Sequence, residues 1–155
     1  MLTALIFDLD GTLVDTNDLH AESWVRGLAR HGYTVPIDRV RPEMGKGGDN
    51  VAPALLGEGA AARDGDRIRE AVAEAYAALT AERGVRVFDG AVDLLADLRR
   101  RGFRTALATS SGAADLDATF AAAGVDLREH VDAVVTKADV ERSKPHPDVV
   151  VAAYQ

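Results

Sequence analysis

No stretch constrains this chain more than Leu5-Ile6-Phe7-Asp8-Leu9-Asp10-Gly11-Thr12-Leu13. The apolar run from Leu2 to Phe7 arrives at two carboxylates and stops at a glycine, the pattern of a buried strand ending in a turn. Side chains alternate along a strand, which places Asp8 and Asp10 on one face at its carboxyl end. No basic residue lies between them, so they repel unless a cation or a shared proton intervenes. Mg²⁺ takes oxygen ligands of this kind, commonly one or two carboxylates together with a substrate phosphate. Gly11 permits a tight turn whose N–H groups can face an anion. The same letters also suit a strand that merely runs into a polar turn, so the rest of the chain has to decide.

Composition narrows the field. The chain has 155 residues, 47% of them hydrophobic and 28% charged, which suits one globular domain or a small core carrying an insertion. Its net charge of −7 argues against nonspecific binding to nucleic acid or to an anionic membrane. An acidic protein that takes an anionic substrate must then supply cations locally. Cysteine is absent, which removes disulfides and thiolate chemistry and agrees with a cytoplasmic setting. The N-terminus carries neither a basic region nor a long apolar one, so neither a signal peptide nor a membrane span is expected.

Along the chain, Val14 to Asn17 reads as a loop with a helix cap, supplied by Thr16 or Asn17. A helix over 18–31 places Leu19, Trp24 and Leu28 on one side and stops at Gly32. Tyr33 to Pro42 reads as a connector with two prolines. The glycine-dense stretch Met44 to Asp49 precedes a short helix near 50–56, and 57–65 reads as a further turn. From Asp66, three- and four-residue spacing of Ile68, Val72, Ala75, Tyr76 and Leu79 predicts a long helix ending near Gly84. The pattern then changes. A helix over 91–101, a strand over Arg104 to Thr109, a helix that Ser111 can cap, a short strand over Val131 to Val135 and a helix from 147 follow in turn. Strands alternating with helices predict an α/β fold with a doubly wound parallel sheet.

About 100 residues separate Asp8 from Thr109, against about 30 for a simple strand-helix-strand unit. The excess, residues 16–84, is mostly helical. It predicts a helical subdomain inserted after the first strand, with hinges near Asp15 and near Gly84 to Asp89. Residues 1–15 and 85–155 would form the sheet-bearing core. A helical lid over the strand ends would exclude water and select substrates.

Ligands of open parallel sheets bind at the carboxyl ends of the strands. Here those ends carry Asp8 and Asp10, then Thr109, Ser110 and Ser111, and near the third strand Lys144, set before a proline that turns it away from helix. A carboxylate nucleophile, hydroxyl donors and an ammonium are what attack on a phosphoryl group requires. A second carboxylate can protonate the leaving oxygen and later deprotonate water. Taken singly, each signal is weak: Lys144 by default is a surface lysine, Thr-Ser-Ser a helix cap, and His20 a packing or surface histidine. Their order at successive strand ends is far more specific.

Asp8-Leu9-Asp10-Gly11-Thr12-Leu13, Ala108-Thr109-Ser110-Ser111 and Ser143-Lys144-Pro145-His146-Pro147-Asp148 resemble the first three motifs of the haloacid dehalogenase-like hydrolase superfamily. The helical insertion resembles that of its phosphoglycolate phosphatase and β-phosphoglucomutase branch. The resemblance implies a Rossmann-like parallel sheet core with an inserted α-helical cap, Mg²⁺ as cofactor, and a phosphoaspartate intermediate formed on a small phosphorylated metabolite. By motif match Asp8 is the nucleophile and a metal ligand. Asp10 is the general acid/base and a metal ligand through its backbone carbonyl. Thr109, with Ser110 beside it, binds the phosphoryl group, and Lys144 neutralises charge there. His20 lies where the mutases carry a cap histidine, and Lys46 in the glycine loop can touch a substrate anion.

Two departures accompany the resemblance. The superfamily's fourth motif, an acidic segment after a further strand, is missing, since only Pro145 to Gln155 follow Lys144. The last core strands are therefore expected to be absent, as in a fragment or truncated product. An unpaired sheet edge and self-association through the exposed core would follow. The mutase pattern is also incomplete: the cap loop reads Gly45-Lys46-Gly47-Gly48-Asp49 without an arginine, and Gly112 follows the second motif where mutases carry a lysine. A phosphatase is thus expected ahead of a hexose-phosphate mutase, with a catalytically silent fragment as the remaining alternative. A phosphoacceptor signalling domain fits less well, because such domains carry the acceptor on a middle strand.

Overall fold

The first strand forms over Ala4–Phe7 (β1), and Leu2, placed in it by the sequence pattern, lies outside the described residues, 3–155 of the computed structural model. β1 pairs in parallel with β4 (Arg104–Ala108), Ala4 opposite Arg104 and Phe7 opposite Leu107. β4 pairs in parallel with β5 (Ala133–Val135), Ala106 opposite Ala133. The order β1-β4-β5 puts the most buried strand in the middle, and Thr105 to Ala108 are all buried, as a parallel strand covered on both faces requires. β1 and β5 are the edges of this sheet among the described residues. All three strands point the same way, so their carboxyl ends gather Asp8, Thr109 and Thr136 along one rim.

Three helices complete the α/β layers: α5 (Ala91–Arg100), α6 (Ala113–Ala123) and α7 (Asp148–Tyr154). α5 buries Ala91, Leu95 and Leu98 at helical spacing and exposes its arginines. The loop expected over Val14 to Asn17 begins instead with β2 (Val14–Asp15), paired antiparallel with β3 (Arg86–Val87), and Asp15 forms an ion pair with Arg86 at 2.8 Å. Both expected hinges therefore meet in one short ladder.

Between β2 and β3 the chain is helical. α1 spans Asn17–Arg30, α2 Ile37–Val40, α3 Gly48–Leu56 and α4 Glu58–Arg83. Two expectations fail here. The connector over 33–42 contains α2 and a 3₁₀ turn at Arg41–Glu43, because this brings Val40 into fully buried contact. The turn expected over 57–65 is confined to Gly57, and α4 begins at Glu58. Glycine in a helix costs about 1 kcal/mol relative to alanine. Gly65 is buried and Ala61 packs on the apolar cluster of this segment, so tertiary contact outweighs propensity.

The apolar side chains form two clusters. One joins Leu9, Leu95, Leu107, Leu116, Phe120 and Leu127 to Leu19, Tyr76 and Leu79 of α1 and α4. The other lies wholly between residues 21 and 72 and contains Trp24, Leu28, Val40, Val51, Leu55 and Ile68. Each fully buried side chain of this size contributes about 1.5–3 kcal/mol. The ends of α1 and α4 thus sit in the sheet's core while their middles hold a core of their own.

Candidate active site

β1 delivers Asp8 directly to the rim of the sheet, and the chain then reverses. Gly11 takes a positive φ of 74°, and its N–H donates to the Val14 carbonyl at 2.8 Å. A side chain there would collide with Asn17, so both the backbone and the close approach demand glycine. This turn returns Asp10 to the cavity beside Asp8.

Around Asp8 the partners come from β4 and the loop before α7. Lys144 Nζ donates to Asp8 Oδ1 at 2.6 Å and to the Ala108 carbonyl at 2.8 Å. The Lys144 side chain is 19% exposed and that of Asp8 40%, so the lysine is held while much of the carboxylate faces the opening. Thr109 is buried, and its Oγ1 accepts the Ser111 N–H at 3.0 Å. Ser110 lines the same space, and its Oγ accepts the Lys144 N–H at 3.3 Å. Sequence pattern had assembled Asp8, Asp10, Thr109, Ser110 and Lys144, and all line or adjoin one cavity of about 110 Å³.

Asp10 is surrounded differently. Thr16 Oγ1 donates to its Oδ1 at 2.6 Å and Ser111 Oγ to its Oδ2 at 2.9 Å. His20 Nε2 lies 2.9 Å from Oδ1. Its ring stacks on Tyr76 with centroids 4.1 Å apart and planes 6° from parallel. The Tyr76 hydroxyl meets Thr119 Oγ1 at 2.7 Å. Neither hydroxyl serves the role the sequence suggested. Thr16 precedes α1 without a side-chain cap bond, and α6 is preceded by Gly112, not Ser111. A buried carboxylate with open acceptor sites outcompetes a helix end that water can satisfy.

Burial pushes the Asp10 carboxyl upward. The charge and hydrogen bond of His20, then the hydroxyls of Thr16 and Ser111, outweigh it and hold Asp10 well below the usual carboxylate range. Burial likewise pushes the His20 imidazole down. Asp10, with Asp115 behind it, overcomes that and raises it above its ordinary value. The two groups form an ion pair sharing one proton.

The remaining predicted residues also face the cavity. His20 lines it with its Nε2 already directed to Asp10. Lys46 lines it too, but its ammonium pairs with Glu43. Sequence reasoning missed the charged residues Arg69, Asp115 and Lys137, which also line it. The Lys137 chain end lies within 3.4 Å of where a side chain on Gly112 would begin. A cation therefore stands beside the second motif although the residue following it is glycine.

As a metal site, the rim offers hard oxygen donors only. Among the described residues no three His, Cys, Asp or Glu side chains cluster. One open carboxylate and a neighbouring main-chain carbonyl still fit Mg²⁺, which keeps several waters and relies on substrate phosphate for the rest.

A parallel sheet whose first strand runs into Asp-x-Asp, with a threonine after β4 and a lysine from the loop before α7 reaching the first acid, is the arrangement of a class of hydrolase. The family model described as haloacid dehalogenase-like hydrolase matches residues 2–155, and the chain belongs to that family. It is 31% identical over 150 residues to validoxylamine A 7'-phosphate phosphatase of Streptomyces hygroscopicus subsp. limoneus, covering 96% of this chain and 68% of that protein. It is 32% identical over 159 residues to SUPPRESSOR OF QUENCHING 1, chloroplastic, of Arabidopsis thaliana, covering 98% of this chain but 14% of that protein. The crystal structure of a hydrolase from Pseudomonas syringae superposes with a TM-score of 0.86 at 30% identity, covering 97% of this chain and 68% of that one. The chain thus spans about two thirds of the length of two of these relatives and a small part of the third. No helix among the described residues is long and apolar enough to cross a membrane.

Proposed function

We propose that the chain carries the catalytic centre of a Mg²⁺-dependent phosphatase acting on a small phosphorylated metabolite through a phosphoaspartate on Asp8. The observation that carries this reading is the contrast at the rim: a half-open carboxylate held by one lysine beside a buried carboxylate held by three donors. Asp8 Oδ attacks phosphorus while the bond to the leaving oxygen breaks. The Thr109 and Ser110 groups and the Lys144 ammonium take up charge on the phosphoryl oxygens. Asp10, drawing on the proton it shares with His20, delivers a proton to the leaving oxygen. Ionised again, it accepts a proton from the water that attacks the acyl phosphate, and Asp8 is regenerated. Asp8 and the Asp10 carbonyl would hold Mg²⁺, which when bound neutralises phosphoryl charge and aligns the group with Asp8. Residues 16–84 act as a cap over this centre, and residues 1–15 and 85–155 as the core.

The test is hydrolysis of an aryl phosphate by the chain with Mg²⁺ and with chelator. Release of phosphate that needs Mg²⁺ and vanishes in Asp8→Asn is expected; release that survives Asp8→Asn overturns the assignment. One observation favours a second reading. Lys137 beside Gly112 supplies a cation on the cavity wall next to the second motif, and a phosphomutase needs such a cation for the second phosphate of a sugar bisphosphate. Isomerisation of a hexose phosphate that depends on bisphosphate priming, and falls in Lys137→Ala, would select that reading over simple hydrolysis.

A further inference from the structure

The loop that opens α3 and the loop that carries Lys144 are locked together. The Gly47 N–H donates to the Lys144 carbonyl at 2.9 Å. Asn50 Nδ2 donates to the same carbonyl at 3.0 Å and to Ser143 Oγ at 2.9 Å. Ser143 Oγ in turn donates to Asp49. Ser143 is only 4% exposed, and both side-chain partners of its hydroxyl come from the helical segment. The fit is tight: a Cβ on Gly47 would lie 1.9 Å from Ser143 Oγ. Gly47 itself has φ −67° and ψ 149°, a conformation open to any residue, so glycine stands there for the contact and not for the backbone.

These bonds bear on catalysis because of what lies between them. Lys144 is gripped on its backbone by the helical segment and reaches with its ammonium to Asp8 on the core. The same segment lines the cavity through Gly45, Lys46 and Gly48, so a lift of it from the rim would widen the way in. Lifting breaks the bonds to Ser143 and to the Lys144 carbonyl, and closing restores them. Resting on the phosphatase reading above, we propose that Asn50, Ser143 and Gly47 are positioning residues that hold Lys144 against Asp8 only while the cap is closed. The cap then completes the site from outside the cavity, by fixing the lysine, in addition to shutting water out.

Two variants separate this from simple packing. Gly47→Ala wedges the contact open without straining the backbone, and Asn50→Ala removes two donors while leaving the loop in place. Hydrogen exchange of residues 141–148 is measured in the full chain, beside aryl phosphate turnover at a temperature where circular dichroism shows each variant folded. Both variants should exchange faster over 141–148 than the unaltered chain. Each should lose about tenfold in kcat, with KM within about twofold, because the lost contact acts through the lysine in the transition state. Unchanged exchange and unchanged kcat in Gly47→Ala overturn the proposal, as does a loss confined to KM. Faster exchange in both variants of a chain that hydrolyses nothing supports the lock and counts against the phosphatase reading. Turnover with no change in exchange does the reverse.

Discussion

The Asp8 side of the cavity and the Asp10 side are built from different parts of the chain. Asp8 has one side-chain partner, Lys144, which also donates to the Ala108 carbonyl, and Thr109 and Ser110 after β4 line the same cavity. Around Asp10 two of three donors, Thr16 and His20, come from the start of the helical segment, and Tyr76 of α4 backs the histidine. Asp8 keeps 40% of its side chain exposed and Asp10 14%. A nucleophile must reach its target, so exposure with one countercharge suits it. A group that gives and takes protons must hold its geometry through two steps, so burial under three donors suits that. The two acids are alike in sequence and unlike in surroundings, and the difference is the one the proposed roles call for.

The sharpest way to break this contrast is to treat the acids alike. Asp8→Asn should abolish turnover, by about 10⁴-fold or more in kcat, since no acyl phosphate can form. Asp10→Asn should cost about 10²- to 10⁴-fold, the span of acid-base catalysis. Rapid-quench labelling should still trap some phosphoenzyme in the second variant and none in the first; equal loss in both would erase the distinction.

The proton shared on the Asp10 side gives a pH test. The lowered Asp10 carboxyl stabilises the fold above its ordinary range near pH 4 and loses that contribution as pH falls. The raised His20 imidazole contributes fully below about pH 6.5 and loses its share as pH rises through its higher folded value. The pair therefore stabilises most between about pH 4 and 6.5. His20→Gln should lower stability there by about 2 kcal/mol, the value of a charged hydrogen bond, with the deficit shrinking towards pH 9. Thermal melts in chelator across that range read the difference, and a deficit independent of pH would mean that His20 only packs. Ser111→Ala should be milder, about tenfold in kcat for one lost donor to Asp10. The smallest effect is expected at the β2–β3 ladder. Asp15 and Arg86 are about half exposed, so Arg86→Ala should cost no more than about 0.5 kcal/mol in denaturant melts.

The Asp8 side was the more legible one from sequence. Asp8, Thr109 and Lys144 announce themselves because strand periodicity and a following proline fix where each side chain must emerge. The Asp10 side was largely hidden. Thr16 and Ser111 sit just before helices, where a hydroxyl has two uses, and local pattern favours the cap. Only the burial of Asp10 decides between them, and burial depends on Tyr76, which periodicity marks as helix core and nothing marks as the ring beneath His20. The start of α4 was missed for a related reason. Gly59 and Gly65 read as turn until the packing of Ala61 is known. The β2–β3 ladder is two residues long, too short for any alternation to show.

That ladder has one more consequence. Val14 lies opposite Val87 and Asp15 opposite Arg86, so the helical segment leaves the core and re-enters it at the same point. To the sheet, everything from Thr16 to Val85 is a single hairpin loop whose two feet already touch. Closing a loop costs only about 0.6 kcal/mol more for each doubling of its length. Helices can therefore be lengthened, exchanged or added there at little topological expense to β1 and β4. The rim that holds Asp8 stays put while the helical surface facing it is free to diverge.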